Sequence, residues 1–158
     1  MHNLKPLLKN NYELYSVIKP AATTNELKET AREEINDVIL ILISYGTNDY
    51  EANNYSQTLQ NITDFIRRNN QTNIILMNLP YGYDLSNTIT INTVITTLNR
   101  KLKKIVKAFP HTHFMETDNT RILFTNHGLH RNKLGKWLIN CQIVTFYTPF
   151  LNQKYILP

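Results

Sequence analysis

Cysteine occurs once in 158 residues, at Cys141, so the chain forms no internal disulfide and no cysteine-based zinc site. Glycine occurs four times, at Gly46, Gly82, Gly128 and Gly135. Their spacing excludes both the dinucleotide-binding G-x-G-x-x-G turn and the phosphate-cradling Walker loop. No apolar run approaches the roughly 18–20 residues that a membrane-spanning helix needs. Met1-His2-Asn3-Leu4-Lys5-Pro6 lacks the charged, then apolar, then small-residue order of a secretory signal. The expectations are therefore a cytoplasmic location and no membrane partner.

What is present is the composition of a folded chain. Hydrophobic residues make up 42% and charged ones 18%, too apolar for a disordered protein. Lys and Arg total 17 against 12 Asp and Glu, a formal net charge of +5. That favours weak association with anionic surfaces without marking a nucleic-acid binder. The length suits one domain with a core of its own, and no Pro/Gly/Ser-rich linker divides residues 1–158.

Hydrophobic patterning alternates between two periods. Asp37-Val38-Ile39-Leu40-Ile41-Leu42-Ile43-Ser44-Tyr45 is a continuous β-branched run ending at Gly46, the mark of a parallel strand buried on both faces. Ile74 to Asn78, stopped by Pro80, reads as a second such strand; Glu13–Ile18 and His113–Glu116 read as shorter ones. Thr23-x-x-Glu26 is a capping box opening a helix with Leu27, Ala31 and Ile35 on one face. Tyr55, Leu59, Ile62 and Ile66 form the stripe of the next helix. The longest helix carries Ile91, Ile95, Leu98, Leu102, Ile105 and Phe109. A last helix follows Asn132, with Leu134, Trp137, Leu138 and Cys141 inward, and ends before Pro149. This alternation predicts an α/β domain whose parallel sheet is covered on both faces. Chemistry in such sheets sits outside the carboxyl ends of the strands.

Two segments fall there. After the best strand stands Ser44-Tyr45-Gly46-Thr47-Asn48-Asp49. Gly46 permits a tight turn, and the Asn48 amide is a neutral donor suited to a developing oxyanion. The same residue types also end strands as plain turn formers. Just before the last helix lies Thr125-Asn126-His127-Gly128-Leu129-His130-Arg131-Asn132. A histidine on such a loop is placed to act as a general base near neutral pH. A surface or helix-capping histidine is the structural alternative.

Together, Gly46-x-Asn48-Asp49 and Gly128-Leu129-His130 resemble the SGNH hydrolase superfamily, the GDSL-type esterases and lipases, over most of the chain. Asn73–Pro80 and Leu98–Leu102 further resemble insect SGNH-type domains linked to retroelements. The resemblance implies a three-layer α/β/α sandwich with a parallel, flavodoxin-like sheet. It also implies ester hydrolysis by serine attack, with His130 as base and Asn48 as oxyanion donor, supported by the turn residues Gly46 and Asp49. The family's Gly-Asp-Ser turn after a first strand has no counterpart here, and His2–Leu8 resembles the helix that should follow it. The expectation is thus a domain cut at its N-terminus, without the first strand and the nucleophile. Ala21 stands where a glycine backbone donor to the oxyanion is expected. His127 replaces the acid that usually stands three residues before the histidine; it is expected to orient His130 through a hydrogen bond, although a neutral imidazole cannot stabilise protonated His130 as a carboxylate would. No metal or organic cofactor is implied; the implied partner is a small ester or acyl ligand.

Three other readings are open. His111, His113, His127 and His130 are metal-ligating types without a supporting carboxylate. Arg100, Lys101, Lys103, Lys104 and Lys107 make one side of the long helix basic, which a solvated face explains without nucleic acid. An SGNH-like cleft that kept its oxyanion donor and lost its serine would serve as a non-catalytic binding module, or be the remnant of a degenerate gene.

Overall fold

Leu40–Ile43 (β1), Asn73–Met77 (β2) and Thr112–Met115 (β3) form a parallel sheet in the order β1-β2-β3. The computed structural model describes residues 24–26, 40–43, 55–83, 88–128 and 130–152. The strands expected at 37–45, 74–78 and 113–116 each contain or overlap one of these. The expected strand Glu13–Ile18 and the helix at 27–35 lie outside the described residues; of the capping box, Thr24–Glu26 is a short 3-10 turn.

Helix α1 (Tyr55–Arg68) joins β1 to β2, and α2 (Thr88–Lys107) joins β2 to β3. Both crossovers advance the same way along the sheet. Right-handed connections then put both helices on one face, and α1 and α2 touch there. Four consecutive residues of β2, Ile74 to Met77, are buried, so the central strand is covered on both faces.

The described residues fall into two compact bodies. One holds residues 24–26, 40–43, 55–81 and 88–116, the other residues 82–83, 117–128 and 130–152. In the sheet body the core is Ile62, Phe65 and Ile66 of α1, Ile74–Met77 of β2, and Ile95, Leu98, Leu102 and Val106 of α2. Of the expected α1 stripe, Ile62 and Ile66 are buried and Tyr55 is half-buried, while Thr58, Asn61 and Phe65 add to the buried face. Leu59 is half-buried, whereas Asn61 is fully buried and donates to Thr24 Oγ1 at 3.1 Å and Asn25 Oδ1 at 2.8 Å. Those bonds satisfy an amide that burial alone would penalise. Phe109, expected on α2, lies beyond it: the helix stops at Lys107, and the N–H groups of Ala108 and Phe109 close a tighter turn onto Ile105 and Val106. Asn99 clamps the chain after β2, its Oδ1 accepting the Leu79 N–H at 2.7 Å and its Nδ2 donating to the Leu79 carbonyl at 3.0 Å.

The second body is built on α3 (Lys133–Asn152) and a 3-10 turn, Arg121–Leu123, which touch. Two expectations for this helix are corrected. Leu134 and Trp137 point outward, 49% and 56% exposed, and Cys141 is half-buried. The buried positions are Gly135, Asn140 and Ile143, because the helix leans on the Leu123 carbonyl through Gly135. Nor does Pro149 end the helix, which runs on to Asn152. Proline removes one backbone donor and crowds the turn before it. One lost bond late in a 20-residue helix does not end it.

Candidate active site

The loop that carries His130 is pinned at both its base and its tip. At the base, Phe124 and Arg131 form an isolated antiparallel bridge, and the Thr125 N–H donates to the His130 carbonyl at 2.7 Å. At the tip, Gly128 adopts φ 72°, a left-handed conformation that glycine takes without Cβ strain. Its N–H donates to the Thr125 carbonyl at 2.9 Å, and its own carbonyl accepts the Tyr83 N–H at 3.1 Å. His127 and His130 flank this buried glycine with both side chains exposed. The two histidines expected to act together therefore share one loop. Among the described residues, no hydrogen bond joins their imidazoles.

Two arginines fix the loop from outside. Arg121 donates through Nη1 to the Thr125 carbonyl and through Nη2 to the Asn126 carbonyl, both at 2.8 Å, while its guanidinium lies 5.5 Å from the Tyr83 ring centroid. Arg131 lies over the Phe124 ring at 4.6 Å and donates to Asn119 Oδ1 at 2.8 Å, Thr117 Oγ1 at 3.1 Å and the Asp118 carbonyl. Burial lowers the Arg131 pKa, opposed by Asp118 and Tyr83. Tyr83 meets Phe124 edge-on at 5.1 Å and donates its hydroxyl to the Asn119 carbonyl. Asp118 is held below the usual carboxylate range by hydrogen bonds from the hydroxyl and N–H of Thr120.

Asn132 completes the frame. Its Oδ1 accepts the Gly135 N–H at 2.9 Å, capping α3, and its Nδ2 donates to the carbonyls of Ile122 and Phe124 at 2.7 and 3.1 Å. His130 thus sits between a backbone bridge and a helix cap, with a fixed backbone and a solvent-facing ring. Sequence reading passed over Arg131, because its partners stand 12 to 14 residues away and leave no local signature.

Asn48, Gly46, Asp49 and Ala21 lie outside the described residues. Of the other histidines, His111 reaches the Ile66 carbonyl at 3.2 Å, and His113 stands two residues on, in β3. Among the described residues, no group of three or more His, Cys, Asp or Glu is arranged to hold a metal ion. The basic residues of α2 are exposed, and Lys103 pairs with Glu116.

No protein-family model and no curated protein sequence matches the chain. Solved structures do. A Streptococcus pneumonia protein named for platelet activating factor superposes with a TM-score of 0.75 at 20% identity, over 91% of this chain and 77% of its own. A GDSL-like lipase from Bacteroides thetaiotaomicron gives 0.64 at 21% identity, over 80% and 71%. A carbohydrate esterase of family 3 from Talaromyces cellulolyticus gives 0.63 at 15% identity, over 90% and 77%. The chain shares the α/β fold of the GDSL-like lipase. At these identities the likeness is one of fold.

Proposed function

We propose that this chain is an SGNH hydrolase-type esterase domain, of the kind linked to insect retroelements, that without a Gly-Asp-Ser segment turns over no ester unaided. The fold carries the reading, since an esterase and a lipase are among the structures it resembles. His130 on its pinned loop is the base, taking the proton of an attacking serine and returning it to the leaving group. Asn48 and the backbone N–H of Ala21 hold the oxyanion.

The serine is the missing piece. No Gly-Asp-Ser occurs in the 158 residues, and of the four serines only Ser56 is described, exposed in the first turn of α1. Removing a nucleophile costs a serine hydrolase about a million-fold in turnover. A module that binds an acyl ligand without cleaving it is the second reading, favoured by His127 at the place of the acid.

The test fuses a strand ending in Gly-Asp-Ser in front of His2 and measures hydrolysis of a short aryl ester. Turnover by the fusion, absent from the chain alone and from the fusion carrying His130→Ala, supports the esterase reading. Activity that survives His130→Ala removes His130 from the mechanism. A folded, inert fusion that still binds the ester leaves the binding module.

A further inference from the structure

Ile122, Leu134 and Trp137 are the large apolar side chains that stand exposed among the described residues, at 71%, 49% and 56%. All three belong to the second body, on two elements that touch: the Arg121–Leu123 turn and the start of α3. Asn132 ties them together, donating to the Ile122 carbonyl while capping the helix that carries Leu134 and Trp137. Leu134 and Trp137 stand three residues apart and so share one helix face.

Positive charge predominates in this body, where Asp118 is the one acidic residue among those described. Arg121, Lys133 and Lys136 are exposed beside the patch, and none forms an ion pair among the described residues. No Asp or Glu occurs anywhere in residues 119–158. Lys133 and Lys136 also occupy the first turn of α3, where the helix dipole disfavours cations and no acidic residue offsets them. Helix stability does not account for these lysines.

We propose that this face docks on an anionic lipid surface, with Trp137, Leu134 and Ile122 entering the headgroup region and Arg121, Lys133 and Lys136 meeting lipid phosphates and carboxylates. A tryptophan among leucine and isoleucine, flanked by lysines, suits the boundary between headgroups and acyl chains. A second copy of the chain suits it poorly, since a two-fold contact would set the same cations against each other. The absence of a spanning run does not bear on this, because peripheral docking needs none.

Trp137 is the only tryptophan, so its fluorescence reports the patch directly. The full chain is titrated with phosphatidylcholine vesicles and with vesicles holding about 30 mol % phosphatidylserine, at about 0.1 M salt. The expected result is a blue shift and co-sedimentation with the anionic vesicles alone, both reversed at high salt. Lys133→Glu with Lys136→Glu retains Trp137 and improves the charge at the helix start, so the fold is retained. This pair should bind roughly thirty-fold more weakly. An unshifted spectrum on anionic vesicles overturns the proposal. So does an equal shift on neutral vesicles, a shift that follows protein concentration without lipid, or one produced only by an acidic polypeptide.

Discussion

Gly135 stands so close to Leu123 that a Cβ on the glycine would lie 2.2 Å from the Leu123 carbonyl oxygen. That oxygen cannot easily swing away, because it also accepts the Asn132 N–H at 3.0 Å. Gly135→Ala should therefore destabilise the protein by about 1–3 kcal/mol. This holds although alanine favours a helix by about 1 kcal/mol over glycine. Chemical denaturation of the two proteins measures it; equal or greater stability for the alanine variant would show that α3 can lift off the turn.

Asn132 works from both ends of its amide. Asn132→Ala removes the α3 cap and the two bonds to the Ile122 and Phe124 carbonyls, and should cost about 2–3 kcal/mol. Asn132→Asp keeps an acceptor for the Gly135 N–H and suits the helix dipole. It loses the donor and turns a carboxylate toward two carbonyls, so its stability should fall between the other two. If the aspartate variant matches wild type, the bonds to Ile122 and Phe124 contribute nothing.

Arg131→Lys keeps the charge and discards the planar fork that reaches Thr117, Asp118 and Asn119 while covering Phe124. The expected loss is about 1–2 kcal/mol, nearly independent of salt because geometry rather than net charge changes. Amide exchange at Thr125 and Gly128 should quicken in the same variant. Unchanged exchange would mean that the loop holds its shape without the arginine.

His113 supplies a pH dependence. Burial lowers its pKa below the ordinary 6.5, and the neighbouring His111 lowers it further. The unfolded chain then takes up the proton more readily than the folded one. This contribution to stability is complete above about pH 6.5 and is lost as the pH falls through the lowered value. Denaturation midpoints at pH 7.5 and 5 should differ less for His113→Gln than for wild type. A difference as large in the variant would place the pH dependence elsewhere.

The sheet was legible because its signal is local. An uninterrupted run such as Ile74–Met77 fits a strand buried on both faces and little else, and the stripe of Ile95, Leu98 and Leu102 sets the buried face of α2. The Gly128-Leu129-His130 segment could likewise be placed before a helix from residue types alone. The orientation of α3 could not. Apolar residues run all round this helix, without a charge from Trp137 to Asn152, so no single face announces itself as inward.

The sequence by itself determined the alternation of strands and helices, the glycine at the loop tip and the asparagine before α3, because each depends on backbone preferences of a few neighbouring residues. Only the tertiary structure decided that Gly135 rather than Leu134 faces Leu123, that Trp137 is left in water, and that Arg131 binds residues 12 to 14 positions back. Those outcomes turn on close approach between elements distant along the chain. Steric fit at the contact selects them, and no period in the sequence encodes it.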